Sequence, residues 1–251
     1  MEAQLQSQGL KKRIGTPAVP VNRPLLMVAA RTVCFALVQL MFVLIYRVTW
    51  QESVAWWPFF AVAANLICFV LLSIFAKAEG KSYLDIIHFE KSKLLKDIKQ
   101  IWWVFIAAGV AGFIGLSGVG YFIYGSLTPP DQMIQPLPLW AAVAAFILFP
   151  LTNALVEVPT YMGFCLPRFE AVWKSTGKAL VLPCFFLAFQ HFTLPVILSD
   201  VTYMIWHFLG MIPLALAVGF IYIKIRRLVP IMIVHYIMDV MTVVGVLTLS
   251  M

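Results

Sequence analysis

His235 and Asp239 stand four residues apart inside "LVPIMIVHYIMDV" (228–240), a run otherwise apolar enough to lie within a bilayer. A charge at mid-bilayer costs on the order of 3 kcal/mol on insertion scales, so such groups normally face an interior or a wet cavity and carry a function. At i and i+4 the two side chains share one helical face. Alone, the pair reads equally well as a satisfied buried bond in which the carboxylate orients the imidazole. Glu157 and His191, in two other apolar runs, shift that balance. Counted at 1.5 Å per residue from the nearest basic loop, Glu157, His191 and His235 lie roughly 12, 18 and 10 Å deep, with Asp239 one turn further. All four fit one layer, and a buried carboxylate among histidines suits proton transfer to and from a water. His207 falls near the opposite end of its run and is expected to be structural or interfacial. Asn65, Asn153 and Gln190 read as interhelical hydrogen-bonding groups.

Composition sets the elements that must position these residues. Of 251 residues, 62% are hydrophobic and 12% charged. Apolar runs of about twenty residues without strict alternation make spanning helices rather than barrel strands. The fold class is therefore all-α, a polytopic transmembrane bundle of about seven to eight helices. The spans fall at roughly 25–48, 54–76, 101–124, 138–165, 179–198, 201–223 and 228–249. The fourth, holding Pro150 and Pro159, exceeds a bilayer's needs and is expected to kink, tilt or run beyond the membrane.

Basic residues mark the cytoplasmic side. Lys11, Lys12, Arg13 and Arg23 precede the first span, Lys77 to Lys99 fill the second loop, and Arg168, Lys174, Lys178, Lys224, Arg226 and Arg227 follow later spans. Arg47 stands alone opposite, beside Glu52, Asp131 and Asp200. This predicts a multi-pass protein of the cell membrane with a cytoplasmic N-terminus and an external C-terminus, Arg31 snorkelling back to the inner face. The net charge of +7 then meets anionic headgroups. There is no aromatic-basic groove of the kind that binds nucleic acid. Residues 1–24 read as a polar, disordered cytoplasmic tail. The loop "KAEGKSYLDIIHFEKSKLLKDIKQ" has the apolar spacing of a helix lying on the membrane surface, through Leu84, Ile87, Leu94, Leu95 and Ile98, with His88 a solvated side chain. Cys34, Cys68, Cys165 and Cys184 show no metal-type pairing and are expected to pack.

The order of "LVEVPTYMGFCLPRF", "CFFLAFQHF" and "GFIYIKIRRLVPIMIVHYIMD" resembles the CPBP family, the CAAX proteases and bacteriocin-processing proteins also called the Abi family. Its motifs are E-E-x-x-x-R, F-x-x-x-H and H-x-x-x-N or H-x-x-x-D, and the resemblance covers roughly residues 138 to 245. Glu157 falls at the first Glu, while Val158 and Met162 replace the second Glu and the Arg. His191 is kept, with Leu187 at the Phe position, and His235 with Asp239 is intact.

The resemblance implies an N-terminal helical part, 25–137, with a basic loop, and a catalytic core, 138–251. It further implies a glutamate-dependent intramembrane endopeptidase acting on a peptide or membrane-protein substrate. Glu157 and His191 would activate a water, while His235 and Asp239 would bind the carbonyl, Asp239 by orienting His235. No cofactor is implied, although the donor set by its chemistry also permits zinc. The paired loss at 158 and 162 is expected to leave a simple apolar i, i+4 contact. The alternative reading is a non-catalytic relative that binds a peptide or membrane partner, in bacteriocin immunity or regulation.

Overall fold

The computed structural model describes residues 21–129, 131–193, 197–198 and 200–251. The tail up to residue 20 lies outside them. Eight helices carry the architecture: α1 (Asn22–Tyr46), α2 (Trp57–Lys77), α3 (Leu94–Tyr124), α4 (Leu139–Val158), α5 (Leu166–Trp173), α6 (Thr176–Phe189), α7 (Val201–Ile225) and α8 (Val229–Ser250). Among the described residues six stretches are long and apolar enough to cross a membrane, each holding one of α1 to α4, α7 and α8. Their outer faces are apolar, with Phe122 88% and Trp102 67% exposed. A surface of that kind needs lipid around it.

Local chemistry sets the helix ends. Thr49 and Glu52 form a capping box on the short turn leading into α2, whose first turn then holds Pro58. Asp200 caps α7 by accepting from the Tyr203 amide at 3.0 Å, and Pro230 opens α8. Gly125, at φ 67°, stops α3 in a left-handed turn that costs glycine no steric strain.

Beyond Val158 the fourth crossing changes pitch. Residues Pro159–Cys165 form a π-helix, and α5 then carries the chain on to Trp173. The fourth crossing, expected from sequence to kink, tilt or run beyond the membrane, forms with this continuation one apolar stretch of 35 residues, Leu139–Trp173. Gly163 lets the π-helix press against the loop and α8: a Cβ there would lie 2.6 Å from Leu228 Cδ1 and 2.9 Å from the Ile86 carbonyl oxygen.

Two predicted elements differ in the structure. The run 179–198 is not one spanning helix: α6 ends at Phe189 and is followed by a 3₁₀ turn, Gln190–Phe192. Further on, the Ile197 amide donates to Gln39 Oε1 at 2.5 Å and its carbonyl accepts from Gln39 Nε2 at 3.1 Å. Non-helical backbone at membrane depth is tolerated where protein groups satisfy it. The basic loop, in turn, is not a surface helix. It holds only the turns Tyr83–Ile86 and Lys91–Lys93 before α3 begins. Ile86 and Ile87 are buried in the core, while Leu84 and Leu95 remain exposed; inward packing of the two isoleucines wins over a continuous amphipathic face.

Helices α3, α7, α6, α4 and α8 surround the central space, α8 lying along α4 and α3 and α7 along α3 and α6. At the α3–α7 contact Gly115 meets Gly210 so closely that a Cβ on the former would strike the latter's carbonyl. Small residues at such a crossing let backbones approach in a lipid environment. At the basic end three arginines clasp neighbouring elements. Arg227 forks onto Asp97 of α3, Arg168 Nε reaches Glu79 at 2.9 Å, and Arg226 meets Glu170 at 2.7 and 2.8 Å.

Candidate active site

Glu157 lies at the end of α4, immediately before the change of pitch, and is 2% exposed. Its Oε1 is 3.4 Å from His235 Nε2 on α8. Asp239 Oδ2 is 3.3 Å from the same nitrogen. Asn153, one turn before Glu157, holds its Nδ2 3.0 Å from His235 Nε2 and donates to Asp239 Oδ2 at 3.0 Å. Two i, i+4 pairs therefore face each other, Asn153 and Glu157 on α4 and His235 and Asp239 on α8. The nearest of these groups, the Asn153 amide, can only donate, so in the neutral ring His235 Nε2 accepts from it; Nε2 donates toward the two carboxylates only in the protonated ring.

His191 comes from the 3₁₀ turn after α6. Its Nδ1 is 2.9 Å from the Leu187 carbonyl, to which it donates, so Nε2 keeps its lone pair. Among the described residues no hydrogen bond joins His191 to the other three predicted residues. It shares with Glu157, His235 and Asp239 the wall of one cavity of about 110 Å³. The rest of that wall is mostly apolar, including Val104 and Ala108 of α3 and Met211 and Ala215 of α7. Such a space can hold a few waters beside polar groups and an apolar moiety along its length. All four residues predicted for the site thus line one space, three of them within a single polar cluster.

Arg31 corrects the sequence reading. Instead of snorkelling to a membrane face it is fully buried. Its Nε donates to Gln190 Oε1 at 2.8 Å and its Nη1 to Asn65 Oδ1. Its Nη2 donates to Asn153 Oδ1 at 2.7 Å and to Glu157 Oε2 at 2.8 Å. Acceptors from α2, α4 and the turn after α6 replace the water that snorkelling would have sought. Asn65, Asn153 and Gln190, read from sequence as general interhelical groups, therefore belong to the site. Their signal was shared depth with the ionisable residues. Tyr161 adds a hydroxyl that donates to Gln190 Oε1 at 3.1 Å.

His207 stacks on Tyr203 with ring centroids 4.6 Å apart and is not among the residues lining the cavity. Val158 and Met162 are both fully buried in the apolar core, and the chain enters the π-helix between them. Among the described residues no group of three or more His, Cys, Asp or Glu side chains is arranged to hold a metal ion. The four cysteines are free, and Cys68, Cys165 and Cys184 are buried.

A search of curated proteins and a search of solved structures found no match to the chain. Residues 138–241 match a family model described as type II CAAX prenyl endopeptidase Rce1-like. The matched stretch holds Glu157, His191, His235 and Asp239, while Arg31 and Asn65 come from helices before it. Within this helical membrane bundle, the segment that brings these residues around one cavity is thus similar to the Rce1-like CAAX proteases of the CPBP family over residues 138–241.

Proposed function

We propose that the protein is an intramembrane endopeptidase in which Glu157 and His191 activate a water and His235, with Asp239, receives the developing oxyanion. The observation that carries this reading is Glu157 Oε1 lying 3.4 Å from His235 Nε2 on the wall of a cavity that His191 also lines. A water held between Glu157 Oε1 and His191 Nε2 gives its proton to the carboxylate as its oxygen attacks the peptide carbonyl. His235, in the protonated ring, then donates from Nε2 to the carbonyl oxygen, where negative charge gathers. The proton held on Glu157 passes to the amide nitrogen, the C–N bond breaks, and an acid and an amine leave.

The substrate class we assign is a peptide carrying an apolar group, in keeping with the matched family of prenyl endopeptidases and the apolar walls of the cavity. Two carboxylates and two histidines also suit zinc as donors. The catalytic assignment to Glu157 and His191 holds in the absence of a metal, and a chelator series with metal analysis of the purified protein tests it. We place the basic end of the bundle in the cytoplasm, where anionic headgroups and the positive-inside bias favour it.

Glu157→Gln and His191→Ala, in protein that inserts and elutes as the parent does, are expected to lower peptide release from a prenylated peptide by about 100-fold or more. Undiminished release would remove both residues from the chemistry. The non-catalytic alternative requires instead that the parent release no peptide and that both variants bind it as the parent does.

A further inference from the structure

We infer that Arg31 supplies, from α1, the cation that the family's first motif carries at the position of Met162, and that it positions both halves of the site. The inference rests on the peptidase reading above. In the motif E-E-x-x-x-R the arginine stands five residues after the first Glu, and here that place holds a methionine with no exposure to solvent, packed in the apolar core. The guanidinium arrives instead from a helix outside the matched segment.

The geometry gives it two positioning tasks. By binding Glu157 Oε2 it leaves Oε1 turned toward His235. By donating from the same Nη2 to Asn153 Oδ1, it fixes which way that amide is turned, so that Nδ2 faces Asp239 and His235. Gln190 and Asn65 take the remaining nitrogens of the fork and hold it in place. Arg31 is fully buried and is not itself among the residues lining the cavity, so it acts through Glu157 and Asn153.

Charge balance points the same way. Around Glu157, α1 brings Arg31, α8 brings His235 and Asp239, and the turn after α6 brings His191. The facing parts of α3 and α7 bring apolar side chains, among them Val104, Ala108, Met211 and Ala215. A buried carboxylate left without its cation in such a space takes a proton rather than stay charged. Among the described residues Arg31 is the one permanent cation in this group, so its removal favours the acid over the base.

The test uses the full chain carrying Arg31→Met or Arg31→Lys, with dicyclohexylcarbodiimide, which modifies protonated carboxyl groups in apolar surroundings, mapped by mass spectrometry. At pH 7 the parent and the lysine variant are expected to stay largely unmodified at Glu157. Modification in Arg31→Met should rise about tenfold or more. In peptide release, Arg31→Met should lower kcat by about 100-fold with KM changed less than about threefold, and Arg31→Lys should recover part of the loss.

Equal modification of Glu157 in parent and Arg31→Met, at unchanged helicity and elution, would overturn the role, as would an unchanged kcat. If the parent releases no peptide, the peptidase reading fails while the carbodiimide comparison still decides the role of Arg31. Where Arg31→Met does not accumulate, Arg31→Gln, which keeps hydrogen bonding without charge, is judged by the same readings.

Discussion

At the scale of single residues, Asp239 stands at the last place of the H-x-x-x-N or H-x-x-x-D pattern, and the structure shows what its carboxylate does. It accepts from Asn153 at 3.0 Å and lies 3.3 Å from His235. An amide oxygen can accept from Asn153 equally well, so Asp239→Asn is expected to keep peptide release within about tenfold of the parent. Asp239→Leu strands the Asn153 amide and should cost about 30-fold or more; equal rates for the two variants would show that neither bond matters. The four ionisable site residues were legible in the sequence because each is expensive in a membrane and each falls at a similar depth. Asn65, Asn153, Gln190 and Arg31 were not legible as parts of the site. An uncharged amide has many cheap uses between helices, and an arginine about two turns into a span can ordinarily reach the headgroups. Only the packing of α1 on α2, on α6 and on the π-helix, and of α2 on α4, shows that these groups bind one another.

At the scale of elements, hydropathy was enough to find the long crossings but not the pitch or length of the ones that bear function. An apolar run reads the same whether it is α-helix, π-helix or buried extended chain. That is why α6, ending at Phe189, looked like a full span. The surface helix expected in the basic loop failed for a related reason, since its apolar spacing did not reveal that Ile86 would pack beneath Gly163. Gly163→Ala must push Leu228 and the Ile86 backbone aside and is expected to destabilise by about 1–3 kcal/mol, read as earlier unfolding in detergent. Gln39→Leu removes both bonds to the Ile197 backbone. It should cost about 1–3 kcal/mol, with faster amide exchange at Ile197 as its local mark.

At the scale of the whole molecule, the Rce1-like segment and the helices before it do not divide cleanly, because Arg31 and Asn65 reach the site from α1 and α2. Residues 138–251 expressed alone are expected to release no peptide, and co-expression of residues 1–137 should restore release. Full activity of the shorter fragment would separate the site from those helices. The orientation we propose is tested by a cysteine placed at Ser92 in the exposed basic loop. An impermeant maleimide should reach it in inside-out vesicles and not in right-side-out ones.

The π-helix Pro159–Cys165 has a consequence for how the chain tolerates changes in length. There the Leu166 amide donates to the Tyr161 carbonyl, five residues back. A turn of this kind holds more residues than an α-turn, so a one-residue deletion can be absorbed by tightening to α without losing a backbone bond. Because the deletion takes out the extra residue of the wide turn, α5 should keep nearly its place and Arg168 its bond to Glu79. This stretch should therefore accept a single deletion more readily than the regular helix before it, where losing one residue turns all that follows by roughly 100° and draws it in by about 1.5 Å.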